Sequence, residues 1–382
     1  MYLSINNNEF NAQYCYFMID NVYIYDRQIK YMPKRTVIND TQIIQFIKDN
    51  PKCSSNDILN GLGLNISMAT LRRKLVEISA VGLINAIGEL KSRKYEVSQA
   101  YDIIRPINID QYFEKEIDER IIQTGFNQQL LSNTLKHISI FTAQEFNFLN
   151  ALQSKFVANS AKLSNAEFKN ELERLAIDLS WKSSQIEGNT YSLLETERLL
   201  KDKQTAAGKT KDEATMLLNH KEALDFIISQ PDYISPLTIS SIEDIHSLLI
   251  KELDISRNIR HNRVGISGTN YKPLENEFQI KEALLEMCTI INMRDNIFEK
   301  ALLVLVLISY IQPFADGNKR TARIISNAIL IHNHYCPISF RTIDSIEYKK
   351  SMLLFYEQTN ICLLYTSPSP RDRTRSRMPS SA

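Results

Sequence analysis

The run Gln312-Pro-Phe-Ala-Asp-Gly-Asn-Lys-Arg-Thr-Ala-Arg323 concentrates residue types suited to holding a polyphosphate. A Gly-Asn turn that opens a helix leaves backbone N–H groups free and a positive dipole end aimed at one spot, and such a place binds phosphate. Arg320 and Arg323 are three positions apart, so they share a helix face and can fork phosphate oxygens. Asp316 offers a hard oxygen ligand for Mg2+ bridging those phosphates. Gln312 heads the run with an amide of no useful basicity. It can orient a hydroxyl or water but cannot take its proton. The bland alternative is a polar turn between two helices.

Two apolar stretches must position this loop. Ala301 to Ile311 reads as a buried helix leading into it, and Ile324 to Ile331 as a second helix leaving it. Upstream, Ser183-Ser-Gln-Ile-Glu-Gly-Asn189 reads as a helix stop, with Gly188 able to take the left-handed conformation just past the end. Taken alone, Glu187 is a solvated charge at a helix end. Between these segments, Arg260 to Pro273 mixes strand formers with turn residues and predicts a short hairpin.

The first segment resembles the signature of the Fic (Fido) family, His-x-Phe-x-[Asp/Glu]-Gly-Asn-x-Arg-x-x-Arg. Pro313, Phe314, Asp316, Gly317, Asn318, Arg320 and Arg323 fit that pattern or its common variants, with Lys319 a familiar variant of the second glycine. The family's leading His is replaced by Gln312. The resemblance implies Mg–ATP held by Gly317, Asn318, Lys319, Arg320 and Arg323, with Asp316 on the metal. It implies AMP transfer to a Ser, Thr or Tyr hydroxyl of a target protein, the chain itself included, with Gln312 at the general-base position and Arg320 assisting. A lost base is worth about 10²–10⁴-fold in rate. Ser183, Glu187 and Gly188 resemble the family's inhibitory motif, in which the Glu pairs with the second signature Arg, Arg323 here. Val264, Gly265, Ile266, Ser267, Gly268 and Tyr271 fall in what resembles the family's flap, which adds a target's backbone as an extra strand. The alternative is a silent nucleotide sensor that binds ATP without transferring it and acts as a transcriptional or protein-docking regulator.

The region before the signature divides further. Asp40 to Asn50, Ile58 to Leu62 and residues 67–80 each predict a short helix, with Leu71, Leu75 and Ile78 as the core stripe of the third. Leu83 to Ile87 and Leu90 to Val97 predict a hairpin. Three short helices and a hairpin resemble a winged helix-turn-helix. The resemblance implies DNA contact through 67–97, with Arg72, Arg73, Lys74, Lys91, Arg93 and Lys94 as the basic groups, or else docking of a protein. Residues 100–180 are polar and helical by pattern, with Glu114, Lys115, Glu116, Asp118, Glu119 and Arg120 placed on a solvated face. The predicted architecture is mainly α: an N-terminal extension (1–37), a winged helix-turn-helix unit (38–98), a helical bridge (99–140) and a Fic-like bundle with a β flap (141–361), its inhibitory helix near 171–189.

Composition sets the remaining bounds. At 382 residues with 43% hydrophobic content, the chain has room for more than one core. A net charge of +1 supplies no global field, so any nucleic-acid binding must be local. No apolar run approaches the roughly 20 residues of a membrane span, and no basic start and apolar core mark a signal peptide. Five scattered cysteines without CxxC pairs fit a reducing compartment. These features predict a cytoplasmic location and no membrane partner; homo-oligomerisation is compatible with them. His332, His334 and Cys336 diverge on a helix and predict no metal site. Met18 and Met32 are alternative starts. Residues 362–382 resemble one frame of a sequencing-library adapter and are set aside, which places the natural C-terminus elsewhere.

Overall fold

The structure is a computed structural model and describes residues 40–89 and 92–361. The predicted extension, Lys91 and the 362–382 tail lie outside the described residues. The chain is mainly helical. Among the described residues no helix is long and apolar enough to cross a membrane.

The N-terminal unit begins with α1 (Asp40–Asp49), which buries Ile43, Ile44 and Ile47 on one side. The short strand β1 (Cys53–Ser54) follows, then α2 (Ser55–Gly61). Ser54 and Asp57 close a reciprocal cap, the Ser hydroxyl accepting from the Asp57 N–H while the carboxylate accepts from the Ser54 N–H. Helix α3 (Met68–Ala80) starts at a Ser67 cap and buries the predicted stripe of Leu71, Leu75 and Ile78. Strands β2 (Ile84–Ile87) and β3 (Lys94–Val97) pair antiparallel, with Ile84 opposite Val97 and Ile87 opposite Lys94. Strand β1 adds to the free side of β3, an order of β1-β3-β2 that the sequence pattern did not reveal.

The predicted helical bridge is helical only in short pieces, the last over 128–137, separated by extended chain. Helical turns at Tyr101–Ile104 and Ile109–Phe113 give way to extended chain through 120–127. Its backbone groups are satisfied by distant partners instead. The Gln123 N–H donates to the Glu357 carbonyl at 2.9 Å and the Asn127 N–H to the Tyr310 hydroxyl at 2.9 Å. Arg120 corrects the predicted solvated face: its side chain is 6% exposed and paired with a fully buried Glu357. A long aliphatic stem and a fork of donors let Arg lie inside wherever a carboxylate meets it.

The remaining chain is a helical bundle: α4 (Ala143–Ser160), α5 (Asn165–Ile186), α6 (Leu193–Asp202), α7 (Lys211–Ser229), α8 (Ile239–Leu249), α9 (Glu277–Met293), α10 (Ile297–Ile311), α11 (Asn318–His332) and α12 (Ser345–Gln358). Helix α10 is apolar almost all round, and its last nine residues, Leu303 to Ile311, are all buried. A helix of that kind belongs at the centre. It packs on α9, α11 and α12, while α11 also meets α5, α7 and α8. The α10–α11 connection, residues 312–317, is therefore set among the tightest-packed elements of the molecule.

Candidate functional site

The signature loop is built by side chains bonding to their own backbone. Helix α10 ends on Gln312 in the left-handed conformation, with φ 51° and ψ 61°. Asn318 staples the turn: its carbonyl oxygen accepts from the Phe314 N–H at 2.8 Å, and its amide donates to the Phe314 carbonyl at 2.8 Å and to Gln312 Oε1 at 2.9 Å. Gln312 Nε2 in turn donates to the Ser309 carbonyl at 2.6 Å. Both ends of the Gln312 amide are thus committed within the loop, in a side chain that is 7% exposed.

Gly317 opens α11 at φ +80°, where a side chain is strained, and no side chain caps the new helix. A Cβ at Gly317 would also meet His246 at 3.3 Å. His246, on α8, stacks flat on Phe314 with ring centroids 3.6 Å apart. Its Nε2 lies 2.9 Å from the Asp316 carbonyl. A carbonyl only accepts, so Nε2 carries the proton. Burial pushes His246 down to about 4, keeping it neutral. Sequence reasoning missed this residue; a lone His on an apolar helix stripe was the available signal.

The two arginines of the loop meet different carboxylates, and each keeps a buried Nη1 with no partner. Arg323 is fully buried on α11 and donates from Nε to Ser183 Oγ at 2.8 Å, and from Nη2 to the Ser183 carbonyl at 3.1 Å and Glu187 Oε1 at 2.7 Å. Lys319 Nζ approaches the other oxygen of Glu187 at 3.5 Å. Burial raises the Glu187 pKa, but the charges of Arg323, Lys319 and Arg320 more than offset it and leave the carboxyl below its ordinary value. Arg320 donates from Nη2 to the exposed Asp316 carboxylate at 3.2 Å. Its Nη1 is buried with no partner. His220, on α7, is buried beside both arginines; burial, then their charges, hold it well below its ordinary pKa.

Glu187 sits where α5 stops, with Gly188 following at φ +102°. The chain beyond is fastened to the start of α7. Glu213 accepts from the Thr190 hydroxyl at 2.6 Å and the Thr190 N–H at 2.8 Å, and the Asn189 amide donates to the Glu213 carbonyl at 2.9 Å. These hydrogen bonds from Thr190 and the Thr210 cap draw Glu213 down to about 2.

The segment 260–274 corrects a second expectation. It forms no strand-paired hairpin; it is extended chain with one turn at Ser267–Gly268 and a single parallel bridge from Lys272 to Gly125. Gly265 and Gly268 give it little intrinsic strand preference, and its edge groups find partners elsewhere. Arg260 clamps its root. The guanidinium is 4% exposed and donates from Nε to the Gln312 carbonyl at 2.6 Å, from Nη1 to Asn262 O at 2.8 Å and from Nη2 to Leu274 O, while its own N–H donates to Pro313 O at 2.9 Å. Val264 and Ile266 are half-buried, and Gly265, Ser267 and Gly268 are exposed. Tyr271 is not on the open side. It is buried, stacks on Tyr310 at 4.7 Å and donates its hydroxyl to Tyr310 O at 3.0 Å.

The structure thus gathers Ser183, Glu187, Gln312, Asp316, Gly317, Asn318, Lys319, Arg320 and Arg323 into one place, with the 260–274 segment rooted against it. Among the described residues no three His, Cys, Asp or Glu side chains cluster as a ready metal cage. A lone carboxylate such as Asp316 holds Mg2+ only together with phosphate oxygens and water.

The chain is similar to known proteins over part of its length. Protein adenylyltransferase Fic of Drosophila melanogaster is 25% identical over 217 residues, 56% of this chain and 44% of its own. The protein of the same name from Nematostella vectensis is 29% identical over 170 residues, 44% of this chain and 40% of its own. The chain spans less than half the length of these relatives. Among solved structures, Fic-1 (residues 134–508) from C. elegans has a TM-score of 0.48 at 21% identity, covering 60% of this chain and 69% of that one. A Fic domain-containing signaling protein from Bacteroides thetaiotaomicron gives 0.48 at 22%, covering 53% and 80%. The segment that carries the loop, residues 236–330, matches the Fic/DOC family.

Proposed function

We propose that this chain binds Mg–ATP at the 312–323 loop, under restraint from Glu187, for adenylyl transfer to a protein hydroxyl. The observation that carries the reading is a pair of buried arginines with donors to spare. Arg320 and Arg323 each keep a buried Nη1 without a partner, and Arg323, next on the same face, is also held through Nη2 by Glu187 at 2.7 Å. A buried donor left unpaired costs about 1–3 kcal/mol, and a phosphate oxygen would relieve it. The uncapped N-terminus of α11 and the close backbone at Gly317 fit the same group, so the residues present suit a polyphosphate. Gly317, Asn318 and Lys319 would cradle it from below, Arg320 would fork one phosphate, and Arg323 would join only after releasing Glu187. Asp316 would turn from Arg320 to Mg2+, whose chemistry is to bridge phosphate oxygens and neutralise their charge. The flap would hold the target's backbone beside the loop.

Gln312 limits the chemistry. Neither it nor the buried, neutral His246 can take the hydroxyl proton, so transfer proceeds at a rate lowered by about 10²–10⁴ from a loop with its base. A second reading is favoured by one specific observation: both ends of the Gln312 amide are bonded within the loop, which leaves it poorly placed to orient a hydroxyl. In that reading the site senses nucleotide without transferring it, and the N-terminal unit, a winged helix-turn-helix, reports the state to DNA or a docked protein. Arg72 and Arg73 are exposed on α3 for such contacts, whereas Lys74 is engaged by Asp40 at 3.0 Å and Glu77 at 3.3 Å.

The test is transfer of label from ATP labelled at the α-phosphate, using Glu187→Gly with Gln312 unchanged, in Mg2+ and cell lysate. Label on any protein band supports the transferase. ATP binding without label sinks that reading in favour of the sensor, and absence of both sinks the nucleotide site itself.

A further inference from the structure

We infer that Arg120 and Glu357 position the tip of the 260–274 flap, and so set how the flap meets a target. The inference rests on the reading of that segment as the target-holding element. The segment makes few bonds of its own. Its turn at Ser267–Gly268 is not closed by a strand ladder, and Tyr271 N–H bonds locally to Thr269 Oγ1 at 3.1 Å. Its shape is therefore imposed from outside, by Arg260 at the root and by the extended bridge chain at the tip.

Three contacts run along that second edge. Arg120 Nη2 donates to the Gly268 carbonyl at 3.2 Å, Asn270 Nδ2 to Asp118 Oδ1 at 2.8 Å, and the Lys272 N–H to the Thr124 carbonyl at 2.8 Å. Arg120 can serve as the fixed point because it is itself held. Its Nη1 donates to Glu357 Oε1 at 3.0 Å, and its guanidinium lies 5.3 Å from the Phe113 ring centroid. Glu357, at 0% side-chain exposure, also accepts from the Tyr112 hydroxyl at 2.6 Å. A guanidinium fork can satisfy a carboxylate with one arm and a carbonyl with the other, which the single ammonium of lysine cannot match in the same geometry.

The node also receives the start of the bridge chain. Past the end of α12, the Ile361 N–H donates to Ile103 O at 2.8 Å, and Asn360 Nδ2 donates to Asp102 O at 3.1 Å and Arg105 O at 2.9 Å. The end of α12 and the residues just past it are thus the plate on which the bridge chain and the flap converge. Arg120 touches no reacting group; it is a positioning residue acting through the Gly268 carbonyl.

Hydrogen exchange at the Lys272 amide tests the assignment in the full chain. Arg120→Lys keeps a cation beside Glu357 and removes the second arm. Losing one charged hydrogen bond should speed exchange across 268–272 by about tenfold. The 312–323 loop should keep its wild-type protection and ATP affinity. Because a buried pair cannot be broken safely, Arg120→Met with Glu357→Gln is the second variant. It leaves no unpaired charge and retains an acceptor for Tyr112. Wild-type exchange at Lys272 in both folded variants would overturn the assignment. Where label transfer is measurable, KM for the target should rise about tenfold with kcat unchanged. Absence of transfer in the wild-type chain counts against the proposed function alone, since the exchange readout needs no activity.

Discussion

Removing Glu187 should weaken the empty protein and strengthen its hold on ATP by nearly the same free energy. Glu187 supplies Arg323 with one charged hydrogen bond, at 2.7 Å, while Ser183 supplies two more through its hydroxyl and carbonyl. Glu187→Gly leaves the Ser183 bonds in place and removes a carboxylate bonded to a fully buried guanidinium. The Glu187 side chain is 20% exposed, so water recovers part of the loss. The cost is about 2 kcal/mol, within the range for charged hydrogen bonds. For a domain of this size that lowers Tm by roughly 4–8 °C. ATP bound through Arg323 must first spend the same contact in the wild type and need not in the variant, so its affinity should be about 30-fold tighter in Glu187→Gly. Differential scanning fluorimetry and calorimetric titration, with Mg–ATP, measure the two quantities. The pH dependence carries a sign as well. Glu187 has a depressed pKa in the folded chain, so its stabilisation is present above the ordinary carboxylate range and is lost as pH falls through the folded value. The Tm gap between wild type and variant should therefore close in acid. Equal ATP affinities, or an unchanged Tm at neutral pH, would refute the view that Glu187 and nucleotide compete for Arg323.

Three further expectations can be checked together. Gln312→His, made with Glu187→Gly, should raise label transfer by about 10²–10⁴, and no gain would mean that the loop lacks more than its base. Gly317→Ala forces an L side chain to φ +80° and sets its Cβ 3.3 Å from His246; a loss of about 1–3 kcal/mol by chemical denaturation is expected, together with weaker ATP binding. Glu213→Gln should loosen the chain after Glu187. Glu213 sits at about 2 in the folded chain, so its contribution is present above its ordinary value of 4.5 and fades as pH falls towards 2. The variant should show a smaller loss of Tm across that window and higher basal label transfer at neutral pH.

The 312–323 loop was legible because its geometry is local. Gly317, Asn318, Arg320 and Arg323 act through a turn and one helix face, and both are written in spacing. Ser183 and Glu187 were legible as a helix stop, though their meeting with Arg323 came from resemblance. Arg120, Arg260 and His246 were not legible. Each is a polar residue whose partners include backbone carbonyls of distant segments, and no periodicity encodes a carbonyl. Gln312 was identified as the missing base, but the capture of its amide by Ser309 and Asn318 depends on the left-handed end of α10. The flap was misread as a hairpin because strand-forming residues do not say whether a partner strand is available. Here the neighbour is the bridge chain, which pairs with it strand-fashion at one bridge only.

The Arg120–Glu357 pair joins residues 237 positions apart. Contacts that close so long a loop bear their entropy before they return any energy, so they form after the helices of the bundle have condensed. Interactions absent from the folding transition state act on the rate of escape and not on the rate of arrival. The pair is in this sense a clasp: the Arg120→Met, Glu357→Gln chain should refold at the wild-type rate and unfold faster. Rapid-mixing measurements that found slower folding instead would place the clasp in the nucleus. Should it close last, the persistence of the native chain under heat or protease is governed from the seam between the bridge chain and the end of α12, outside the 312–323 loop.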